Sequence, residues 1–284
     1  PELSDVAPKR EIIRPDTIDD VSFSTCYDKA TSGILYFTCP AGGGDIDKDL
    51  FPWVPFFCKS FTNAGTRKNS YDKMARLLDL YTGGLSIVPF SGSYFTPGAE
   101  PHCFLALQGK ALDRNIDPMF DLLDEFARDY DFKDYERLKS LLFQYQAGME
   151  AAIVATGHRY AISLASRNLS ESSHINELWH GIAQYRMLRQ MTEKLKVEKN
   201  PDALLEELSD NLCQIAASVL RHNNLKPALI GGKDAVRKAE KRVTAFHGTL
   251  PVNGAPSFFS PNIKSGISNI DLPFDGWHTT TAVN

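Results

Sequence analysis

The stretch Gly33-Ile34-Leu35-Tyr36-Phe37-Thr38-Cys39 is closed by Pro40-Ala41-Gly42-Gly43-Gly44 and followed by an apolar run from Asp47 to Phe61. Its first seven residues are apolar and aromatic and read as a strand. The proline and glycines predict its end. The run after them reads as a helix despite Pro52 and Pro55. Pro52 is tolerable in a first turn, where a missing N–H costs little. Pro55 lies deeper and predicts a distortion or a later helix start.

Outward from this unit, Ser70 is a good N-cap before Tyr71 to Leu78, with a stop expected at Gly83-Gly84. Leu85 to Phe90 and Cys103 to Lys110 read as two strands pairing as an antiparallel hairpin. The loop between them runs from Ser91 to Gly98. From residue 113 the period becomes helical. Phe120, Leu123, Phe126 and Ala127 make one apolar face; Tyr135, Leu138, Leu141, Leu142, Tyr145 and Met149 make a second. Ile175, Leu178, Ile182 and Tyr185 repeat the spacing, as do Leu204, Leu205, Leu208, Leu212, Ile215 and Val219. After Asn223-Asn224, Lys226 to Ile230 returns to strand, and Gly231-Gly232 leads into a helix from Asp234 to about Phe246. This order predicts an α+β fold, a mostly antiparallel sheet covered on one face by helices. Residues 1–20 read as a linker, 21–247 as one domain, and 248–270, rich in Gly, Pro, Ser and Asn, as a second linker. Residues 271–284 read as the truncated start of a further domain.

Composition narrows the function classes. The 284 residues carry 31 Lys+Arg against 35 Asp+Glu, a formal net charge of -4. That balance argues against a general nucleic-acid binder, which needs a concentrated basic face. No run approaches the ~20 apolar residues of a membrane helix, and Pro1 to Arg14 lacks the apolar core of a signal peptide. The five widely spaced cysteines, Cys26, Cys39, Cys58, Cys103 and Cys213, read as small buried hydrophobes of a reducing compartment. A catalytic thiol at Cys58 or Cys103 would need a nearby histidine. His102 is next to Cys103, but neighbouring strand residues point to opposite faces.

Candidate sites fail on spacing. Asp45, Asp47 and Asp49 open like a calcium loop, yet Leu50 stands where the loop needs Gly and Phe56 where it needs Glu. Gly42-Gly43-Gly44 lacks a following Lys-Ser/Thr, and Gly231-Gly232-Lys233 lacks the remaining glycines of a phosphate site. His174, Glu177 and His180 form His-x-x-Glu-x-x-His; on a helix those histidines point about 120° apart, against about 40° in His-x-x-Glu-His. Gly157-His158-Arg159-Tyr160 reads as packing at a helix boundary, and Arg237, Lys238, Lys241 and Arg242 as a solvated helix face.

A family resemblance rests on Asp47-Lys48-Asp49-Leu50-Phe51-Pro52-Trp53-Val54-Pro55-Phe56-Phe57-Cys58, then Thr62-Asn63-Ala64-Gly65-Thr66, Ser70-Tyr71 and Tyr81-Thr82-Gly83-Gly84-Leu85-Ser86. Ala111-Leu112-Asp113-Arg114-Asn115, Phe132 to Leu138, Gly157 to Ala161 and Leu272-Pro273-Phe274 continue it in order. Together these resemble the C-terminal half of presequence protease-like zinc metallopeptidases of the pitrilysin/insulinase superfamily. The resemblance implies a parent with two halves around a chamber for short unfolded peptides. Zinc would sit in the N-terminal catalytic half on an inverted His-x-x-Glu-His motif, with Glu as general base. This chain would be the third domain, its partners being that half and a fourth domain of the same polypeptide. The segment Leu50 to Phe57 replaces the zinc helix and contains neither His nor Glu. The resemblance therefore implies an inactive fragment, with no catalytic, cofactor or metal residues, forming part of the chamber wall. Gly83, Gly84, Ser91, Ser93 and Tyr94, near strand ends, are the candidate wall contacts. The compartment implied is the cytoplasm for a bacterial parent and the mitochondrion or plastid for a eukaryotic one. The alternative is a catalytically inactive relative acting as a peptide-binding or scaffold subunit.

Overall fold

The computed structural model describes residues 16–18, 23–27, 31–93 and 101–259. Among them six strands form one sheet: β1 (Asp16–Ile18), β2 (Phe23–Tyr27), β3 (Ile34–Gly42), β4 (Leu85–Gly92), β5 (His102–Leu112) and β6 (Ala228–Gly231). Their spatial order is β1-β2-β6-β3-β5-β4. Pairing is antiparallel except between β2 and β6, which run parallel. The α-helices of the described residues are, in chain order, α1 (Val54–Phe61), α2 (Tyr71–Tyr81), α3 (Ile116–Asp129), α4 (Tyr135–Ser166), α5 (Glu171–His180), α6 (Ile182–Val197), α7 (Asp202–Val219) and α8 (Lys233–Thr249). Helices α1, α3, α5 and α8 pack on the sheet, while α4, α6 and α7 build outward from them. The fold is the expected α+β arrangement, a mostly antiparallel sheet with helices on one face.

Alternation along the strands fixes which face is covered. Leu35, Phe37, Cys39 and Ala41 of β3 are buried, as are Cys103, Leu105, Leu107 and Ala111 of β5. These residues meet the helices because side chains alternate across a strand. The phenylalanines fill the layer between. Phe37 meets Phe120 edge-on with ring centroids 5.3 Å apart, and Phe61 lies 5.9 Å from Phe126. A buried aromatic of this size contributes about 2–3 kcal/mol.

Several expectations are corrected. Pro40 does not end β3, which continues to Gly42. Pro40 lacks an N–H, but its carbonyl still accepts from Lys226 N at 2.9 Å. The segment 257–259 then runs beside the glycines: Gly44 N donates to Ser257 O at 2.9 Å, and Cys103 N to Phe258 O at 2.9 Å. A Cβ at Gly42 would overlap Ser257 O, and one at Gly44 would overlap Phe259 O. The triple glycine is therefore a close-approach surface for the chain leaving α8. That chain, inside the stretch read as the second linker, is docked by these bonds. Within the stretch read as the first linker, Asp16–Ile18 forms β1. Residues 271–284 lie outside the described residues.

The prolines after the triple glycine act as foreseen. Phe51–Trp53 is a 3-10 turn, and α1 begins after it, with Pro55 in its first turn. Pro55 cannot donate to Phe51 O, its partner in a continuous helix. That carbonyl instead accepts from Val54 N and from the indole N–H of buried Trp179 at 2.9 Å. Trp179 also stacks on Phe51 at 5.3 Å, so α5 is tied to the turn that launches α1.

Candidate functional site

The sheet face opposite the helices carries the exposed halves of the strand alternation. Tyr36 sits opposite both Lys110 and Ile230, and Thr38 opposite both Gln108 and Ala228. Ser86 sits opposite Gln108 on the other side. These residues, with Gly83 and Gly84, line a groove of about 560 Å³. Tyr36 and Ile230 remain 42% and 41% exposed, a large apolar exposure for paired central strands. Further along the same face Phe90 stacks on Phe104 at 5.3 Å, and His102 on Phe104 at 6.2 Å.

Gly83 and Gly84 enter this groove because they extend the β4–β5 ladder. Gly83 N donates to Lys110 O at 2.7 Å, and Lys110 N donates to Gly84 O at 3.2 Å. Ser91 and Ser93 go elsewhere: both contact Ser172 at the start of α5, the Ser93 Oγ···Ser172 Oγ distance being 2.8 Å. Tyr94 lies outside the described residues. Tyr36, Thr38, Gln108, Lys110 and Ile230 were not singled out from the sequence. The signal for them was the two-residue alternation of β3 and β5, which names the uncovered face once the helices are placed.

The side chains that looked like chemistry have structural jobs. Glu177 is 2% exposed. It accepts from Ser163 Oγ at 2.6 Å and from Ala183 N at 3.1 Å, capping α6. Burial raises its carboxyl above the ordinary range, against the pull of these hydrogen bonds. Burial lowers His174 and His180 on the same helix. The His-x-x-Glu-x-x-His spacing is thus a helix-packing device. Asp45 pairs with the buried Arg221, and Asp49 N donates to Asp47 Oδ1 at 2.9 Å. Thr156 breaks the helical path of α4, which places Gly157-His158-Arg159-Tyr160 just after a kink. The basic face of α8 is not simply solvated: Lys238 reaches Asp117 at 2.8 Å, and Arg242 pairs with Asp121.

The thiols are inert in character. Cys39, Cys58 and Cys103 are free and buried. Desolvation pushes the Cys103 thiol up to about 12 and raises Cys39 and Cys58 as well. A nucleophilic cysteine needs the opposite shift. His102 and Cys103 point to opposite faces, Cys103 toward the helices.

A zinc centre needs about three protein ligands around one point. Helix α1, which follows β3, offers Val54, Pro55, Phe56, Phe57, Cys58, Lys59, Ser60 and Phe61, with no imidazole or carboxylate. Among the described residues no group of three or more His, Cys, Asp or Glu is placed to hold a metal ion. The residues present do not fit a catalytic zinc. No helix among the described residues is long and apolar enough to cross a membrane.

Fold and side chains together define a half-covered α+β domain with one bare, grooved sheet face and no metal-ligating cluster among the described residues. Residues 2–191 match the family described as the associated region of the subfamily C peptidases of the M16 class. The chain belongs to that family, a non-catalytic associated region within the pitrilysin/insulinase superfamily. It is 28% identical over 228 residues to "Presequence protease, mitochondrial" of Yarrowia lipolytica, covering 80% of this chain and 22% of that protein. It is 26% identical over 253 residues to "Presequence protease 1, chloroplastic/mitochondrial" of Arabidopsis thaliana, covering 88% of this chain and 23% of that protein. The chain thus spans under a quarter of the length of these relatives. A solved structure, the inactive domain of a peptidase M16 from Pseudomonas fluorescens, superposes with a TM-score of 0.55 at 13% identity. That match covers 88% of this chain and 53% of the other, and it shows the fold.

Proposed function

We propose that this chain is the non-catalytic wall of a peptide chamber in a zinc endopeptidase that degrades short unfolded peptides. One observation carries the reading: the sheet's bare face holds a groove of about 560 Å³ on its central strands. The opposite face and the helices form an ordinary core. A bare face of this kind asks for an occupant or a facing domain. In this reading zinc belongs to the N-terminal half of the same polypeptide, since α1 offers no imidazole or carboxylate. Residues 21–247 are the wall domain, 1–20 and 248–270 are its connections, and 271–284 belong to the following domain. Gly83 and Gly84 touch the peptide from the groove. The relatives' names support a mitochondrial or plastid setting for a eukaryotic parent.

The test is photo-cross-linking of an unstructured peptide to the 284-residue chain. A benzophenone side chain is placed at Thr38, or at the exposed Gln144 on the outer helix α4. Labelling from position 38 and not from 144 supports the wall. Equal labelling from both, or from neither, refutes it.

A further inference from the structure

We propose that the groove receives the C-terminal carboxylate of the peptide on Lys110. The inference rests on the wall reading and adds what the wall recognises.

The groove is chemically lopsided. Its described polar lining is the hydroxyls of Tyr36, Thr38 and Ser86 and the amide of Gln108, all uncharged. Lys110 is the one charged residue among the described lining, and no carboxylate accompanies it there. Among the described residues Lys110 forms no ion pair. A cation set among neutral donors, without its own acid, is complementary to an anionic ligand.

The ammonium is also held in place. A Cβ at Gly83 would lie 3.0 Å from both Cγ and Cε of Lys110, so the lysine stem rests on that glycine. Two backbone hydrogen bonds lock the two together, Gly83 N to Lys110 O and Lys110 N to Gly84 O. Resting the stem on a rigid ladder reduces the rotamer entropy lost when an anion binds.

The geometry of the face leaves room for the rest of a peptide. Ala106 and Phe104 follow Gln108 on the same side of β5, with Val88 and Phe90 opposite them. From Lys110 to Phe104 the strand runs about 20 Å. A peptide anchored at Lys110 by its end can lay an apolar side chain on the Phe90–Phe104 stack. The lining between offers no further charge and no deep pocket for one particular side chain. A wall that admits unrelated peptides must rely on what every peptide carries, and the terminal carboxylate is the charged group all of them share. The whole chain is net -4, so an acid preference must arise locally.

The test is fluorescence anisotropy with the 284-residue chain and a short fluorescein-labelled Gly/Ser/Ala/Phe peptide. The peptide is made as the free acid, as the amide, and as the amide with one internal Glu. The free acid should bind about three- to tenfold more tightly than the amide, the scale of one partly desolvated charge-assisted contact. Lys110→Gln should bring the acid down to the amide, and Lys110→Arg should keep most of the difference. Equal binding of acid and amide overturns the inference while leaving the wall intact. So does an undiminished preference in Lys110→Gln, or an internal-Glu amide as tight as the free acid. Binding of none of the three overturns the inference and the wall reading together.

Discussion

Gly181→Ala separates a capping carboxylate from a flexible hinge. Gly181 joins α5 to α6 with φ -97° and ψ -164°, an extended conformation open to any residue. By backbone entropy alone, alanine there would stabilise by about 0.4–1 kcal/mol. The local packing predicts the reverse. A Cβ at residue 181 would overlap Glu177 Oε2 and Cδ and stand 2.5 Å from Oε1. Glu177 is buried, so its carboxylate cannot swing into water without leaving Ser163 Oγ and Ala183 N. Hydrogen bonds to a charged group are worth about 1.5–3 kcal/mol each, and the lost cap about 1 kcal/mol. Set against the entropic gain, the net expectation is a destabilisation of about 2–4 kcal/mol. The assay is urea unfolding followed by circular dichroism, for Gly181→Ala in the wild-type and Glu177→Ala backgrounds. With the carboxylate removed, Gly181→Ala should become neutral or stabilising, giving a coupling of at least about 2 kcal/mol. An equal cost in both backgrounds, or a stabilised single variant, refutes the cap.

Gln184 is fully buried on α6, and neither amide atom has a hydrogen-bond partner among the described residues. Gln184→Met, which keeps the volume and removes the unsatisfied dipole, should therefore raise stability by about 1–2 kcal/mol in the same urea assay. Asn224 is buried with both ends in use: Nδ2 donates to Gly42 O at 2.7 Å and Val219 O at 3.2 Å, and Oδ1 accepts from Ser257 N at 3.0 Å. Asn224→Ala should cost about 2–3 kcal/mol, and limited proteolysis should cut residues 250–259 sooner than the core. Burial lowers His174, His180 and His247, with Arg167 adding to the effect at His174 and His222 at His247. These groups take up protons more readily unfolded, so the stability they confer is present above the ordinary histidine value near 6.5 and is lost as pH falls below it. The urea midpoint should drop between about pH 7.5 and about pH 5.5, and a triple His→Gln variant should flatten that drop.

The core was legible where one period dominated. Leu35, Phe37 and Cys39 alternate with Tyr36 and Thr38, so β3 declared both its strand nature and its two faces. Phe120, Leu123, Phe126 and Ala127 did the same for α3. Boundaries failed where tertiary bonds outvoted local signals. Pro40 reads as a stop, yet its carbonyl still takes Lys226 N and the strand runs on. The Ile175 to Tyr185 stripe reads as one helix because Gly181 falls within an unbroken apolar spacing, while the Glu177 carboxylate turns that glycine into a junction. The groove was harder to foresee. Gly83 and Gly84 were visible as a turn, but Lys110 and Tyr36 come together only through strand register, across 74 residues of chain. The pairing of Lys238 and Arg242 with α3 likewise needs α8 and α3 side by side, which no local pattern encodes.

This polypeptide should shape a peptide site without supplying the chemistry, and a cleavage assay separates the two roles. A quenched fluorescent unstructured peptide is incubated with the 284-residue chain, purified free of metal and then supplied with zinc. Cleavage should stay at background in both conditions, with no zinc retained after gel filtration. Sustained turnover that starts with zinc and stops with a chelator would mean that the chain is itself a catalyst.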